Sequence, residues 1–166
     1  MTSPANPTQI NAAEKLKTNE QKWSKPLMDA GWTAIPSVII ERQKALGLDA
    51  LDVNILLHLA AYWWTSDNKP HPSKATMADA LQVDSRTVQR HIARLEAAKL
   101  IRREQRRIEG KGSKTNIYHF DGLIAAATPY ALEKIKEIAD RTEQKKARVQ
   151  RKRATLRLVP SDDEEL

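Results

Sequence analysis

The sequence predicts a mostly α-helical protein with one small β-hairpin. In several segments between residues 36 and 99, apolar residues recur every three or four positions, as they do along helices that pack on one face. Between residues 100 and 120 this spacing is lost, and two β-favouring runs flank a tip that contains Gly110 and Gly112. The 166-residue chain is long enough for one compact domain with extensions.

Two helices are predicted in the first half of the chain. Pro36 suits the first position of a short helix that ends at Gly47, and a strand over residues 33–40 is the alternative. Asp49 is predicted to cap the next helix, and Asp52 supports its first turn. This second helix is expected to end near Ser66. Its buried face is predicted to contain Val53, Leu56, Leu57, Ala60 and Trp64.

Two further helices are predicted on either side of a tight turn at Val83 and Asp84. Ser73 is predicted to cap the first, which covers residues 74–81. Asp84 or Ser85 caps the second, which runs to about Lys99. The buried positions are predicted to be Ala75, Met77, Ala78 and Leu81 in the first helix, and Val88, Ile92, Leu95 and Lys99 in the second.

These elements predict four parts of the chain. Residues 1–25 are polar and contain two prolines, which predicts a flexible N-terminal arm whose end docks through Trp23 and Trp32. Residues 26–125 form the central domain. Thr128 and Pro129 then suit the cap and first position of a long basic helix over residues 128–158, and an acidic tail covers residues 159–166.

Positive charge is concentrated in two segments of the chain. The net charge is +7, yet residues 85–120 alone contain ten Lys and Arg against three acids, and residues 141–157 contain eight against one. The remaining residues are therefore net acidic. Such local excess favours a polyanionic partner such as nucleic acid.

Several other functions are disfavoured by the composition. The chain has no cysteine, so disulfides, thiolate catalysis and cysteine zinc sites are excluded. The four histidines lack metal-ligand spacing and no catalytic arrangement is recognisable, so we expect no enzyme activity, metal or cofactor. No apolar run approaches the roughly 20 residues of a membrane span, and no export signal is recognisable. The expected location is the cytoplasm.

The order helix, helix, tight turn, helix and basic hairpin carries a recognisable motif. A P-S-x-x-T-M-A start at residues 72–78 precedes R-T-V-Q-R at residues 86–90. Over residues 49–120 the chain resembles the winged helix-turn-helix DNA-binding proteins of bacteria, plasmids and phages. The resemblance implies double-stranded DNA binding, most simply as a transcriptional regulator. The alternative is a plasmid or phage replication-initiation or maintenance protein that binds repeated DNA sites.

The resemblance also implies which residues meet DNA. The third helix of this arrangement enters the major groove, where Arg reads guanine and Gln reads adenine. Base readout is predicted for Ser85, Arg86, Thr87, Gln89 and Arg90. Phosphate contacts are predicted for Ser73, Lys74, Arg94, Arg106, Arg107, Lys111 and Lys114. The aromatic residues at positions 62–64 are of the type that stacks on DNA bases. Their place at the end of an apolar helix favours core packing instead.

The C-terminal helix is the predicted dimerisation element. A single helix in the major groove, here called the reader helix, discriminates poorly between its target site and the rest of a genome. A homodimer with two such helices is therefore expected. Leu132, Ile135 and Ala139 have the three-and-four spacing of a coiled-coil seam. The alternatives are a single helix that frays after its first turns, and a second DNA arm through the basic residues 145–153. The arm or the acidic tail is a possible contact for another protein.

Overall fold

The computed structural model describes residues 12–108 and 112–151. The helices are α1 (Ala12–Trp23), α2 (Lys25–Asp29), α3 (Ser37–Glu41), α4 (Ala50–Ala61), α5 (Lys74–Leu81), α6 (Ser85–Ala97) and α7 (Asp121–Arg151). The strands are β1 (Arg102–Glu104), β2 (Arg107–Ile108), β3 (Gly112–Ser113) and β4 (Ile117–His119). The predicted fold class, mostly α with one small hairpin, is confirmed.

The N-terminal segment is helical where a flexible arm was predicted. Helix α1 lies within the predicted arm and packs against α2, because its alanine, glutamate and lysine residues are good helix formers. The prediction gave too much weight to the two prolines near the start, which lie outside the described residues. The predicted docking of Trp23 and Trp32 is also wrong, since these side chains are 61% and 49% exposed.

Helix α3 follows Pro36 as predicted, so the alternative strand over residues 33–40 is wrong. The helix is shorter than expected: it ends at Glu41, and turns continue to Gly47. Gly47 has a φ of 70°, a backbone conformation that glycine adopts without strain. Val38 and Ile39 are buried and attach this helix to the core.

Helix α4 begins with the predicted capping box. Asp49 accepts a hydrogen bond from the Asp52 backbone N–H, and Asp52 accepts one from the Asp49 backbone N–H. The helix ends at Ala61 rather than near Ser66. Of the predicted face, Leu56 is buried and Val53 packs against the core, but Ile55 and Leu59 are also buried and were not predicted. Almost every residue of this stretch is apolar, and periodicity therefore identifies no single face.

The aromatic run after α4 divides between core and surface. Trp63 stacks on Phe120 with ring centroids 5.2 Å apart, which confirms core packing for this residue. Trp64 is 66% exposed and was wrongly assigned to the buried face of the helix. Tyr62 is also exposed.

Helices α5 and α6 meet around the predicted tight turn. Ser73 caps α5 and Asp84 caps α6, each by accepting the backbone N–H three residues later. Met77 and Ala78 of α5 pack in the core with Val88, Ile92 and Leu95 of α6. Two predicted core positions are wrong: Ala75 and Lys99 are exposed. Lys99 lies beyond the end of α6 with a φ of 57°, and Leu100 is buried in its place.

The hairpin has a base and an outer part. At its base β1 pairs antiparallel with β4, and Arg103 lies opposite Tyr118. Further out β2 pairs antiparallel with β3. Tyr118 is buried and its backbone N–H donates to Pro70 O (2.9 Å), which ties the hairpin to the loop before α5. The predicted tip residues Gly110 and Lys111 lie outside the described residues.

Helix α7 starts seven residues before the predicted cap at Thr128. It begins at Asp121, and Pro129 lies inside it. The Thr128 hydroxyl donates to Ile124 O (2.7 Å) instead of capping. Leu123 and Ala127 are buried in the core, and this packing outweighs the local preference of Thr-Pro for a helix start. The helix thus continues from the central domain without the boundary predicted near residue 128.

One hydrophobic core joins α3, α4, α5, α6, the base of the hairpin and the start of α7. Ion pairs then fix α7 to α3: Lys134 Nζ lies 2.6 Å from Glu41, and Arg42 lies 3.6 Å from Glu133. Among the described residues, no helix has both the length and the apolar character needed to cross a bilayer. The buried core residues are Val38, Ile39, Leu48, Ile55, Leu56, Leu59, Met77, Ala78, Val88, Ile92, Leu95, Leu100, Ile101, Tyr118, Phe120, Leu123 and Ala127.

Candidate nucleic-acid interface

The outer face of α6 is a continuous polar surface. Val88, Ile92 and Leu95 fix the opposite face in the core, so the helix cannot rotate without exposing them. The outer face is formed by Ser85, Arg86, Gln89, Arg90 and Ala93. Each of these residues is exposed. The face has the hydrogen-bonding side chains of a helix that enters a DNA major groove.

Arg86 and Arg90 carry the positive charge of this face. No hydrogen bond or ion pair engages either side chain within the described part of the chain. The two guanidinium groups repel each other at this i, i+4 spacing, and no acid on the same face compensates. An external anion or the edge of a guanine base would give both guanidinium groups a hydrogen-bond partner.

Thr87 plays a different part from the other predicted readers. Its hydroxyl donates to Asp84 (2.8 Å), and its backbone N–H donates to the same carboxylate (2.8 Å). These two hydrogen bonds hold the pKa of Asp84 below its ordinary value. Thr87 is therefore engaged in the helix cap and is less free to contact a base than its neighbours.

Gln89 is linked to the start of α5. The Lys74 ammonium group donates to Gln89 Oε1 across the turn, at 3.1 Å. The two predicted functions, base readout by Gln89 and phosphate contact by Lys74, thus meet at one point of the surface. The amide of Gln89 retains its NH₂ donors for a further partner.

A cleft of about 290 Å³ lies between the start of α5 and the base of the hairpin. Lys74 and Lys114 line its two sides, so the fold joins two predicted phosphate contacts from distant parts of the sequence. Ser73 also lines it, although its hydroxyl is engaged in the α5 cap. Burial raises the pKa of Tyr118, whose hydroxyl therefore stays protonated. The cleft is lined by Pro72, Ser73, Lys74, Lys114, Thr115, Asn116 and Tyr118.

The hairpin arginines have different surroundings. Arg103 pairs with Glu96 at 3.1 Å, and Arg102 lies 3.9 Å from Glu104. The Nε–H of Arg106 donates to the backbone oxygen of Thr115 (2.9 Å), and this hydrogen bond connects the two sides of the hairpin. The predicted contacts at Arg107 and Lys111 concern side chains outside the described residues.

Arg94 belongs to a network rather than to the free basic surface. Its guanidinium binds both Asp49 (2.6 Å) and Asp52, and His91 Nδ1 lies 2.7 Å from Asp52. Asp52 is fully buried. Asp49, Asp52 and His91 bring three potential metal ligands within 4.8 Å of one another, but Arg94 already neutralises the carboxylates. The network connects the start of α4 to helix α6.

The predicted dimerisation residues lie on an uncovered face of α7. Leu132 is 62% exposed and Ile135 is 63% exposed. Ala139 is exposed beside them, and Ile138 extends the apolar stripe. Within the described residues nothing packs on this face, in contrast to the buried side at Leu123 and Ala127.

The sequence interpretation missed two features of this surface. Asp52 was recognised only as a cap, because its partners His91 and Arg94 lie 39 and 42 positions away. Asn116 was not among the predicted contacts, yet it lines the cleft with Thr115. The one available signal was the short basic and polar run at residues 114–116 directly before a β-favouring run.

Comparison with known proteins identifies the class of the central segment. Residues 46–101 match the family model described as a helix-turn-helix domain. This segment contains α4, α5 and α6, and with the hairpin it forms a winged helix-turn-helix, as the resemblance implied. The partner of such a domain is DNA.

Two solved structures align with most of the chain. One is the N-terminal domain of DnaD protein from Geobacillus kaustophilus HTA426, with 18% identity, 74% of this chain and 96% of that chain covered, and a TM-score of 0.49. The other is the transcriptional regulator PA3341, with 20% identity, 84% and 94% covered, and a TM-score of 0.38. Both similarities are too low to support an argument about function. The comparison with curated proteins gave no match.

Proposed function

We propose that the protein is a sequence-specific double-stranded DNA-binding protein that regulates transcription as a homodimer. The observation that carries the proposal is the outer face of α6, where Arg86 and Arg90 are exposed and have no partner among the described residues. Discrimination between bases requires directed donors of this kind, because phosphate contacts alone carry no sequence information.

In the proposed complex α6 lies in the major groove and reads base edges. Arg86 and Arg90 donate to guanine O6 and N7, and Gln89 contacts adenine or a neighbouring phosphate together with Lys74. Ser85, at the first turn of the helix, contacts a base edge or a phosphate. Arg94, which was predicted to contact a phosphate, is given no DNA contact in the proposed complex because Asp49 and Asp52 bind it.

The cleft between α5 and the hairpin is the proposed clamp on the DNA backbone. Lys74 and Lys114 both line it, and their two positive charges favour a DNA phosphate in the cleft. These contacts add affinity for any duplex and orient the reader helix. The proposed activity is binding alone, with no catalytic step and no cofactor.

The experiment that tests this proposal is selection of binding sites from random duplex DNA, followed by footprinting on the selected sites. A regulator of this kind protects a single inverted repeat. An array of direct repeats would replace the regulatory role with replication initiation or plasmid maintenance. Failure to enrich any sequence would overturn sequence-specific binding altogether.

A further inference from the structure

The exposed stripe on α7 reads the same in both directions along the helix. Residues 131–139 are Ala-Leu-Glu-Lys-Ile-Lys-Glu-Ile-Ala, which is symmetric about Ile135 except for the exchange of leucine and isoleucine. Thr128 and Thr142, seven positions before and after Ile135 on the same face, also match, whereas the pairs Tyr130/Asp140 and Pro129/Arg141, which lie off that face, do not. Within residues 131–139, each residue before Ile135 is thus matched in size by the residue the same number of positions after it.

This sequence symmetry makes the helix surface two-fold symmetric. Residues placed equally before and after Ile135 lie at equal heights and equal angles on either side of it, because the helix turns by a constant angle per residue. The stripe is therefore the self-complementary patch that an isologous interface requires. Its large side chains are uncovered, with Leu132, Ile135 and Ile138 each more than half exposed, whereas Ala131 at its edge is half-buried against the core of its own chain.

We propose that two copies of this chain pack α7 against α7 in antiparallel orientation, with the two-fold axis at Ile135. The two Ile135 side chains then meet at the axis. Leu132 of one copy lies over Ala139 of the other, and Ile138 lies over Ala131. Large side chains thereby face small ones, which allows the helices to approach closely.

Charge distribution along α7 favours the antiparallel over the parallel arrangement. In a parallel pair, Lys145, Lys146 and Arg148 of the two copies would lie side by side and repel. In the antiparallel pair, this basic half runs beside the first turns of the other α7, where Asp121 and Ile124 are exposed. Lys146 of one copy then lies near Asp121 of the other.

The charges close to the proposed axis are compatible with this packing. Lys134 is neutralised by Glu41 at 2.6 Å, and Arg141 lies 3.7 Å from Glu137 of its own helix. The two Lys136 side chains lie at the edge of the stripe, where solvent screens their repulsion. The proposal extends the homodimer of the proposed function, and it is tested without DNA.

Sedimentation of the full chain with and without an acidic residue at the axis tests the interface. We expect a dimer at micromolar concentration, and Ile135→Glu should weaken dimerisation about 100-fold or more because two unpaired charges would be buried together. Gln144→Glu introduces the same residue on the opposite face of α7 and should leave the dimer unchanged. A monomeric unmodified protein, or a dimer that survives Ile135→Glu, would overturn the proposal.

Cysteine crosslinking tests the orientation, since the chain contains no cysteine of its own. Ile135→Cys should form a disulfide-linked dimer on oxidation, and Leu132→Cys mixed with Ala139→Cys should form the mixed dimer in preference to either self-dimer. Self-crosslinking of Leu132→Cys would show a parallel pair and overturn the antiparallel arrangement. Circular dichroism of each variant checks that the helix content is retained. Loss of DNA binding would leave these results unaffected, so sequence-specific DNA binding and the α7 interface fail separately.

Discussion

Replacement of Asp52 by alanine tests how strongly the reader helix depends on the network behind it. The Asp52 carboxylate accepts the Asp49 backbone N–H at 3.0 Å and the His91 ring N–H at 2.7 Å, and it also binds Arg94. Asp52 is fully buried, so water does not replace these partners in the folded protein. The substitution removes half of the α4 capping box and the anchor between α4 and α6.

The size of the effect follows from the burial of each partner. Removal of one member of a buried charged network lowers the free energy of unfolding by about 3–5 kcal/mol. The side chain of Arg94 is 48% exposed and retains Asp49, which places the cost for Asp52→Ala near the lower end, at about 3 kcal/mol. Asp49→Ala is the matched control. It removes a partly exposed cap and should cost about 1 kcal/mol.

Urea denaturation followed by circular dichroism measures both variants. For a chain of this size, about 3 kcal/mol corresponds to a melting temperature lower by about 6–12 °C. Asp52→Asn keeps the shape and an acceptor oxygen, and should lie between the unmodified protein and Asp52→Ala. If Asp52→Ala costs no more than Asp49→Ala, the buried network does not anchor the reader helix.

Three further substitutions test other parts of the structure. Gly122→Ala would place a Cβ atom 1.8 Å from Lys99 O, so it should destabilise the fold by about 1–3 kcal/mol; an unchanged urea midpoint would contradict this packing. Pro129→Ala restores a backbone donor inside α7 and should raise stability by about 1–3 kcal/mol; a lower midpoint would argue against a continuous helix. Lys74→Ala with Lys114→Ala should weaken binding to all duplexes and reduce the logarithmic salt slope by about 2; an unchanged slope would exclude the clamp.

Helix starts were predictable from the sequence because capping is local. Asp49, Ser73 and Asp84 each accept an N–H three residues later, and no other part of the chain is needed for that interaction. The polar face of α6 was predictable for a related reason. Its buried residues follow a clear helical period between charged positions, so the exposed face follows directly.

Other features depend on tertiary contacts that the sequence does not display. Thr128 and Pro129 resemble a helix start, but the packing of Leu123 and Ala127 extends α7 through them. In the sequence, Arg94 cannot be distinguished from the exposed arginines of α6. Only the fold shows that it is paired with the distant Asp49 and Asp52. The cleft between Lys74 and Lys114 likewise arises from the folding of the hairpin against α5.

The affinity of Arg86→Ala and Arg90→Ala for a selected site and for random duplex DNA tests sequence-specific reading most directly. Both variants should lose about 1–3 kcal/mol on the selected site and much less on random DNA, because a base contact is lost only where the correct base is present. Both should also relax the base preference at one position of each half-site. Equal losses on the two duplexes would show that these arginines contact phosphates only, and would contradict the assignment of α6 as the reader helix.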